Sequence, residues 1–477
     1  MSTPVRPPVP PSYSGPTSGV LATDGTHLDT ETSNVADLPL YTPGRRSVSR
    51  ATSREEPQMK EFLYDTKNRK GKAVAVLNVI AERSYSKHIP TFLQDTPIKG
   101  SVSLSLDKPD TIQSVVLLIQ GQFLTGASPD QQLNFLNLTC SLWSPSSGEP
   151  RNDLAANDSS APPINNSSRA VGAATRFTGK LHGEYSWPFS IPLPKEVVLP
   201  SGKEKEQKSF TLPQTFNERH ARGSINYEMS VRISRGKLQS DYRIFARFGY
   251  IPISRPPPLP NLRRLSYQEG TLLLGPTIDP EGWYSEDSVT IQGSVFNNRT
   301  VQIGCTLCLA KPLCYTRGSL IPLFLRLESD DQQSLDLLSA PKAISVALKR
   351  RIRYHFNPSK ALGMYHLRDT IDYSQPAVWW PSTEGSEEPL GRFRFLNGEL
   401  HLQPDMKPTS AMGDFRMEYN VVFFPFDTTG FEPSDNGALL EYPIDIVTSF
   451  AHGPRPRKFA PPGYESEARP PRDFLLN

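Results

Sequence analysis

The chain has 477 residues, with 52 lysines and arginines against 49 acidic residues, and a net charge of +3 leaves no domain-wide basic excess for nucleic acid. Hydrophobic residues make up 37%, while 47 prolines are about double ordinary usage, so ordered domains share the chain with segments too polar to build a core. One core rarely organises this length, and two domains are expected.

The opening MSTPVRPPVPPSYSG lacks the apolar core of a signal peptide, and the longest aliphatic run is Val115 to Ile119. That run is far short of the ~20 residues that span a bilayer. A soluble, cytosolic chain is expected. Four cysteines suit a reducing compartment, and the Asn-x-Ser/Thr matches at Asn137, Asn157, Asn165, Asn166 and Asn298 read as chance.

Residues 1–70 are rich in Pro, Ser, Thr and charge and read as a disordered tail. Within it, Leu38-Pro39-Leu40-Tyr41 has the form LPxY. Arg-x-x-Ser repeats at Ser49 and Ser53, either as part of a solvated tail or as sites for basophilic kinases.

A first domain is expected over 71–254. Lys72 to Ile80 is a strand candidate, Ser101 to Leu106 alternates as a half-buried strand does, and Thr111 to Gln120 is apolar on both faces, as an interior strand is. Residues 144–175, rich in Asn, Ser, Ala and Pro, read as a flexible insertion. Pro188 and Pro192 place Gly183 to Pro194 at a sheet edge, because proline cannot donate to a ladder. Asn226 to Ile233 alternates again, and Asp241 to Ile251 closes the domain.

Four prolines among residues 256–260 favour a stiff polyproline II spacer, giving a hinge over 255–265. Arg263-Arg264-Leu265-Ser266 then offers a third kinase match at Ser266, either on a reachable linker or within a buried first strand of the second domain.

The second domain is expected over 266–452. Val289 to Val295 and Ile321 to Leu327 alternate as strands, and one helical turn is expected around Ser334 to Leu338. Cys305 and Cys308 form a CxxC, but on a strand the odd spacing puts the thiols on opposite faces, so buried reduced thiols are expected rather than zinc. Lys349-Arg350-Arg351-Ile352-Arg353 is the densest basic run: a solvated edge, or a patch for acidic tails or an anionic membrane surface. Asn397-Gly398 suggests a two-residue type I′ turn pairing Phe395 with Leu400 and Phe393 with Leu402. Phe415 to Phe423 and Tyr442 to Val447 complete an all-β chain of two antiparallel sandwiches.

Catalytic constellations are missing from the pattern. The eight histidines lack paired metal spacing, and there is no GxxxxGK, GxSxG or HExxH. No enzyme, metal or cofactor is expected. The tail over 453–477 carries one stronger motif, PPxY at Pro461, Pro462 and Tyr464. Polyproline II is extended beforehand, so the prolines can lie on an aromatic groove while the tyrosine fills a pocket, as WW domains read such peptides.

GEYSWPFSIPLPKEVVLPSG and INYEMSVRISRG resemble the N-terminal domain of the arrestin family, and GWYSEDSVTIQGSVFN with YTRGSLIPLFLRLES resembles the start of its C-terminal domain. The resemblance covers roughly residues 72 to 452 and is nearest to the alpha-arrestins, whose fold is flanked by PY motifs. It implies two arrestin-like, immunoglobulin-type sandwiches that hold a membrane transporter or receptor as cargo. Pro461, Pro462 and Tyr464, with Leu38, Pro39 and Tyr41 as a weaker second motif, would recruit a HECT-type ubiquitin ligase through its WW domains. The protein would then be cytoplasmic, recruited peripherally to plasma membrane and endosomes. The alternative is an arrestin-fold scaffold in signalling or retromer-like trafficking without ligase recruitment.

Overall fold

The computed structural model describes residues 59–465 apart from 83–87, 151–175, 202–205, 359–366, 385–390 and positions 69, 220, 237, 238 and 298. Its first half holds β1 (Met59–Lys67), β2 (Ala73–Glu82), β3 (Thr91–Leu93), β4 (Ile98–Asp110), β5 (Ile112–Leu124) and β6 (Gln132–Trp143). After the undescribed 151–175 come β7 (Leu181–Ile191), β8 (Glu196–Ser201), β9 (Glu206–Thr211), β10 (Phe216–Asn217), β11 (Ser224–Arg235) and β12 (Tyr242–Ile251). One sheet runs β1-β2-β4-β7, and the facing one runs β3-β12-β11-β5-β6. The two bury each other's apolar faces. Val102, Leu104 and Leu106 of β4 point into the same core as Ile225, Tyr227, Met229, Val231 and Ile233 of β11. β7 is an edge strand, as a proline within it favours: Pro188 lies opposite Ser101 of β4, and Pro192 falls just past the strand's end.

The sandwich begins at Met59, upstream of the expected boundary at Gly71, because β1 pairs along its length with β2 and sinks Phe62 into the core. Its solvent face carries Met59, Glu61, Leu63, Asp65 and Lys67. That charged edge made the strand resemble a polar tail.

The linker is shorter than expected. Residues 252–260 have no regular structure, and α1 (Asn261–Glu269) follows at once, ending on Gly270 in the left-handed conformation at φ 76°. The hinge is also tied down. The Ser254 amide donates to Thr448 Oγ1 at 3.0 Å, and the Ser449 amide donates to the Ser254 carbonyl at 2.9 Å.

The second half holds β13 (Trp283–Ser285), β14 (Val289–Val295), β15 (Arg299–Ala310), β16 (Cys314–Thr316), β17 (Leu320–Glu328) and the short helix α2 (Gln332–Leu338), where one helical turn was expected. Then come β18 (Val346–His355), β19 (Leu367–Pro376), β20 (Val378–Pro381), β21 (Phe393–His401), β22 (Ser410–Met412), β23 (Phe415–Phe423), β24 (Phe431–Pro433) and β25 (Leu440–Val447). The sheets run β20-β21-β17-β15-β14-β24 and β16-β25-β23-β18-β19. Both sandwiches share one device: a short strand lying parallel to the last long strand, β3 beside β12 and β16 beside β25.

The Asn397-Gly398 turn is not formed. β21 runs straight through it, with Gly398 opposite Leu323 of β17 on one side and Trp379 of β20 on the other. Gly398 lacks a positive φ; a Cβ there would lie 2.6 Å from the Trp379 ring. The glycine therefore serves close packing of an indole, not a turn. Gly398→Val is expected to cost about 2–3 kcal/mol by overpacking. Urea denaturation checks it, and an unchanged midpoint would contradict the packing.

The sandwiches meet along an aromatic seam. Phe123 of β5 lies 5.3 Å from Phe415 and 5.7 Å from Tyr354, ring centre to ring centre, and Phe216 lies 6.0 Å from Phe415. Thr125 Oγ1 donates to the Phe356 carbonyl at 2.6 Å across the same seam.

Candidate functional site

Past β25 the chain does not leave the fold. The Arg455 guanidinium sits 4.7 Å from the Phe450 ring centre, and Arg457 reaches Gly270, placing a cation where α1 ends and its carbonyls point outward. Phe459 stacks on Tyr267 of α1, rings 6.4 Å apart and 6° from parallel. Its amide donates to Glu399 Oε1 at 2.6 Å, and Ala460 behind it is buried.

Glu399 is the anchor. It lies on β21 opposite Pro322 of β17 and Val378 of β20, with only 2% of its surface exposed. A carboxylate so placed requires partners. One oxygen accepts from the Phe459 amide, and the other lies 2.9 Å from His401 Nε2. Holding the tail thus satisfies a charge that β21 has already buried.

The PPxY follows directly. α3 (Pro462–Glu465) is a single helical turn beside β20, with the Tyr464 amide donating to the Pro461 carbonyl at 3.0 Å. Pro462 and Gly463 are exposed, whereas Pro461 and Tyr464 are half-buried. The tail expected to be disordered over 453–477 is thus docked as far as the motif, because Phe459 and Ala460 have apolar and hydrogen-bonding partners. Nothing in the spacing of Glu399, Tyr267 and Phe459 announced their meeting.

Leu38, Pro39, Tyr41, Ser49 and Ser53 lie outside the described residues. Ser266 is placed, and it is not on a reachable linker. It is buried in α1, with its hydroxyl donating to the Leu262 carbonyl at 3.1 Å. Arg263 of the same kinase match is buried too, its guanidinium donating to the Lys311 and Gly282 carbonyls and lying 5.2 Å from the Trp283 ring centre. Burial lowers its pKa, and nearby Tyr267, Tyr315 and Asp279 counter the shift. A kinase would have to unwind α1 before reading either residue.

The basic run is not the solvated edge expected: it lies on β18, an interior strand paired with β19 and β23, and its charges are ion-paired. Lys349 binds Glu441, Arg351 binds Asp369, and Arg353 reaches Glu418. Arg350 turns to the seam, where it donates to both oxygens of Glu218 in the first sandwich at 2.9 and 2.8 Å and to Asp372 at 2.8 Å. Burial alone would lower the Arg350 pKa, but these hydrogen bonds more than offset it and leave it raised. Of the four charges in the run, Arg350 therefore helps to join the sandwiches, and the other three pair within the second.

Cys305 faces the inter-sheet core, while Cys308 lies on the opposite face of β15 among Trp283, Ala310 and Phe324. Burial raises both thiols, Cys308 to about 11. Among the described residues no cluster of ligating side chains could hold a metal, and no helix is long and apolar enough to cross a membrane.

Residues 82–245, inside the first sandwich, match the family model for "Arrestin (or S-antigen), N-terminal domain". The match supports the arrestin family. It covers GEYSWPFSIPLPKEVVLPSG and INYEMSVRISRG but not the two blocks of the second half, where a second sandwich of the expected kind follows. No curated protein matches the chain. An arrestin-type domain supports an adaptor role in trafficking or signalling.

Proposed function

We propose that this protein is an alpha-arrestin-type adaptor linking plasma-membrane cargo, transporters or receptors, to a HECT-type ubiquitin ligase that reads its PY motifs through WW domains. The observation carrying this reading is the PPxY of Pro461, Pro462 and Tyr464, which follows directly on an arrestin-type pair of sandwiches and keeps Pro462 and Gly463 at the surface. The sandwiches hold cargo, and the motif brings the ligase; ubiquitination, endocytosis and sorting follow. The protein works in the cytoplasm, drawn to plasma membrane and endosomes by its cargo, and needs no cofactor.

A second reading is an arrestin-fold scaffold without ligase recruitment. One observation favours it: the motif is wound into a helical turn, whereas WW domains read polyproline II. Tyr464→Ala separates the two. On the adaptor reading, the variant melts as the wild type does but loses most capture by a multi-WW ligase fragment and most of its own ubiquitination in cells. No capture of the wild type, or capture undiminished in the Tyr41→Ala, Tyr464→Ala pair, would leave the scaffold reading.

A further inference from the structure

We propose that the second sandwich is the resting site of this protein's own ligase motif, so that docking of residues 457–464 and capture by a WW domain exclude each other. The inference rests on the ligase reading above and adds a control to it. Polyproline II has no internal hydrogen bonds. The bond from the Tyr464 amide to the Pro461 carbonyl closes the motif into a turn, so a WW groove cannot receive the four residues in this form. Tyr464, which must fill the WW pocket, is half-buried beside β20.

The docking surface is built rather than incidental. Phe459 meets a flat aromatic partner in Tyr267 and fills one wall of a hollow shared with Leu272, Trp283, Trp380 and Glu399. Glu399 supplies the direction: a buried carboxylate oxygen aimed at one backbone amide, 60 residues away in the chain. Removing the strap would deprive that oxygen of the Phe459 amide. Undocking therefore carries a cost that a WW domain must meet before it binds.

The consequence is quantitative. When a fraction f of molecules has the motif free, the apparent dissociation constant rises by 1/f. Titration of a single WW domain into the full chain carrying Tyr41→Ala, and into a synthetic peptide of residues 453–470, measures f. The peptide is expected to bind about ten-fold more tightly than the chain, a population shift of ordinary size. Phe459→Ala in the chain should recover most of that difference, and the same change in the peptide should leave its affinity unchanged. Equal affinity of chain and peptide would overturn the inference, as would a Phe459→Ala effect of the same size in both. Failure of the peptide itself to bind would instead overturn the ligase reading. Docking then stands or falls on hydrogen exchange at the Phe459 amide: protected in the wild type and released by Glu399→Ala if the strap docks, random-coil in the wild type if it does not.

Discussion

Phe415→Ala is expected to cost about 3–5 kcal/mol, the upper range for core truncations, because its ring packs from both sides. It begins β23 in the second sandwich, with 1% of its surface exposed, and its neighbours Phe123 and Phe216 both come from the first. Truncation opens a cavity between two sheets whose hydrogen-bonded ladders prevent collapse around it. Other links across the seam remain, among them Thr125 to Phe356, Phe123 to Tyr354 and Arg350 to Glu218, but none of them fills the space the ring leaves. Calorimetry is expected to show one transition for the wild type and two for the variant, as the sandwiches uncouple. A variant that still melts in one transition, within about 1 kcal/mol of wild type, would contradict a seam organised by this ring.

How much of this was legible depended on how far apart the partners lie in the chain. Alternation within a few residues gave the strands β4, β11, β14 and β23, and prolines gave β7 its edge position. Asn397-Gly398 misled because local turn chemistry was weighed alone. Pairing with β17 and β20 on both flanks keeps those residues extended, and Trp379 supplies the need for glycine. Helix α1 had a boundary signal in Pro260 before its start and Gly270 after its end. Its pattern is inverted, however, with Leu262 and Leu265 exposed and Arg263 and Ser266 buried, so apolar periodicity could not find it.

The site divides along the same line. The PPxY of Pro461, Pro462 and Tyr464 is visible in the sequence because it is a continuous motif of four residues. What holds them is assembled from Tyr267, Glu399 and Phe459, which only the folded second sandwich brings together. The basic run shows the same limit. Its charges are visible in the sequence, but Arg350 finds Glu218 across 132 residues and Lys349 finds Glu441 across 92.

The largest effect is expected in ligase avidity. One PPxY peptide makes a small contact with one WW domain, and a small contact binds modestly. On the adaptor reading, a ligase with several WW domains also engages Leu38, Pro39 and Tyr41, which would make the second contact intramolecular and raise avidity by ~10²–10⁴. The central claim is therefore tested most directly by the affinity of a multi-WW ligase fragment for the wild type, each single variant and the Tyr41→Ala, Tyr464→Ala pair. The adaptor account predicts that Tyr464→Ala weakens binding more than Tyr41→Ala, that both fall below wild type by a factor of ~10² or more for the stronger change, and that the pair abolishes it. Wild-type affinity retained by the double variant would contradict it.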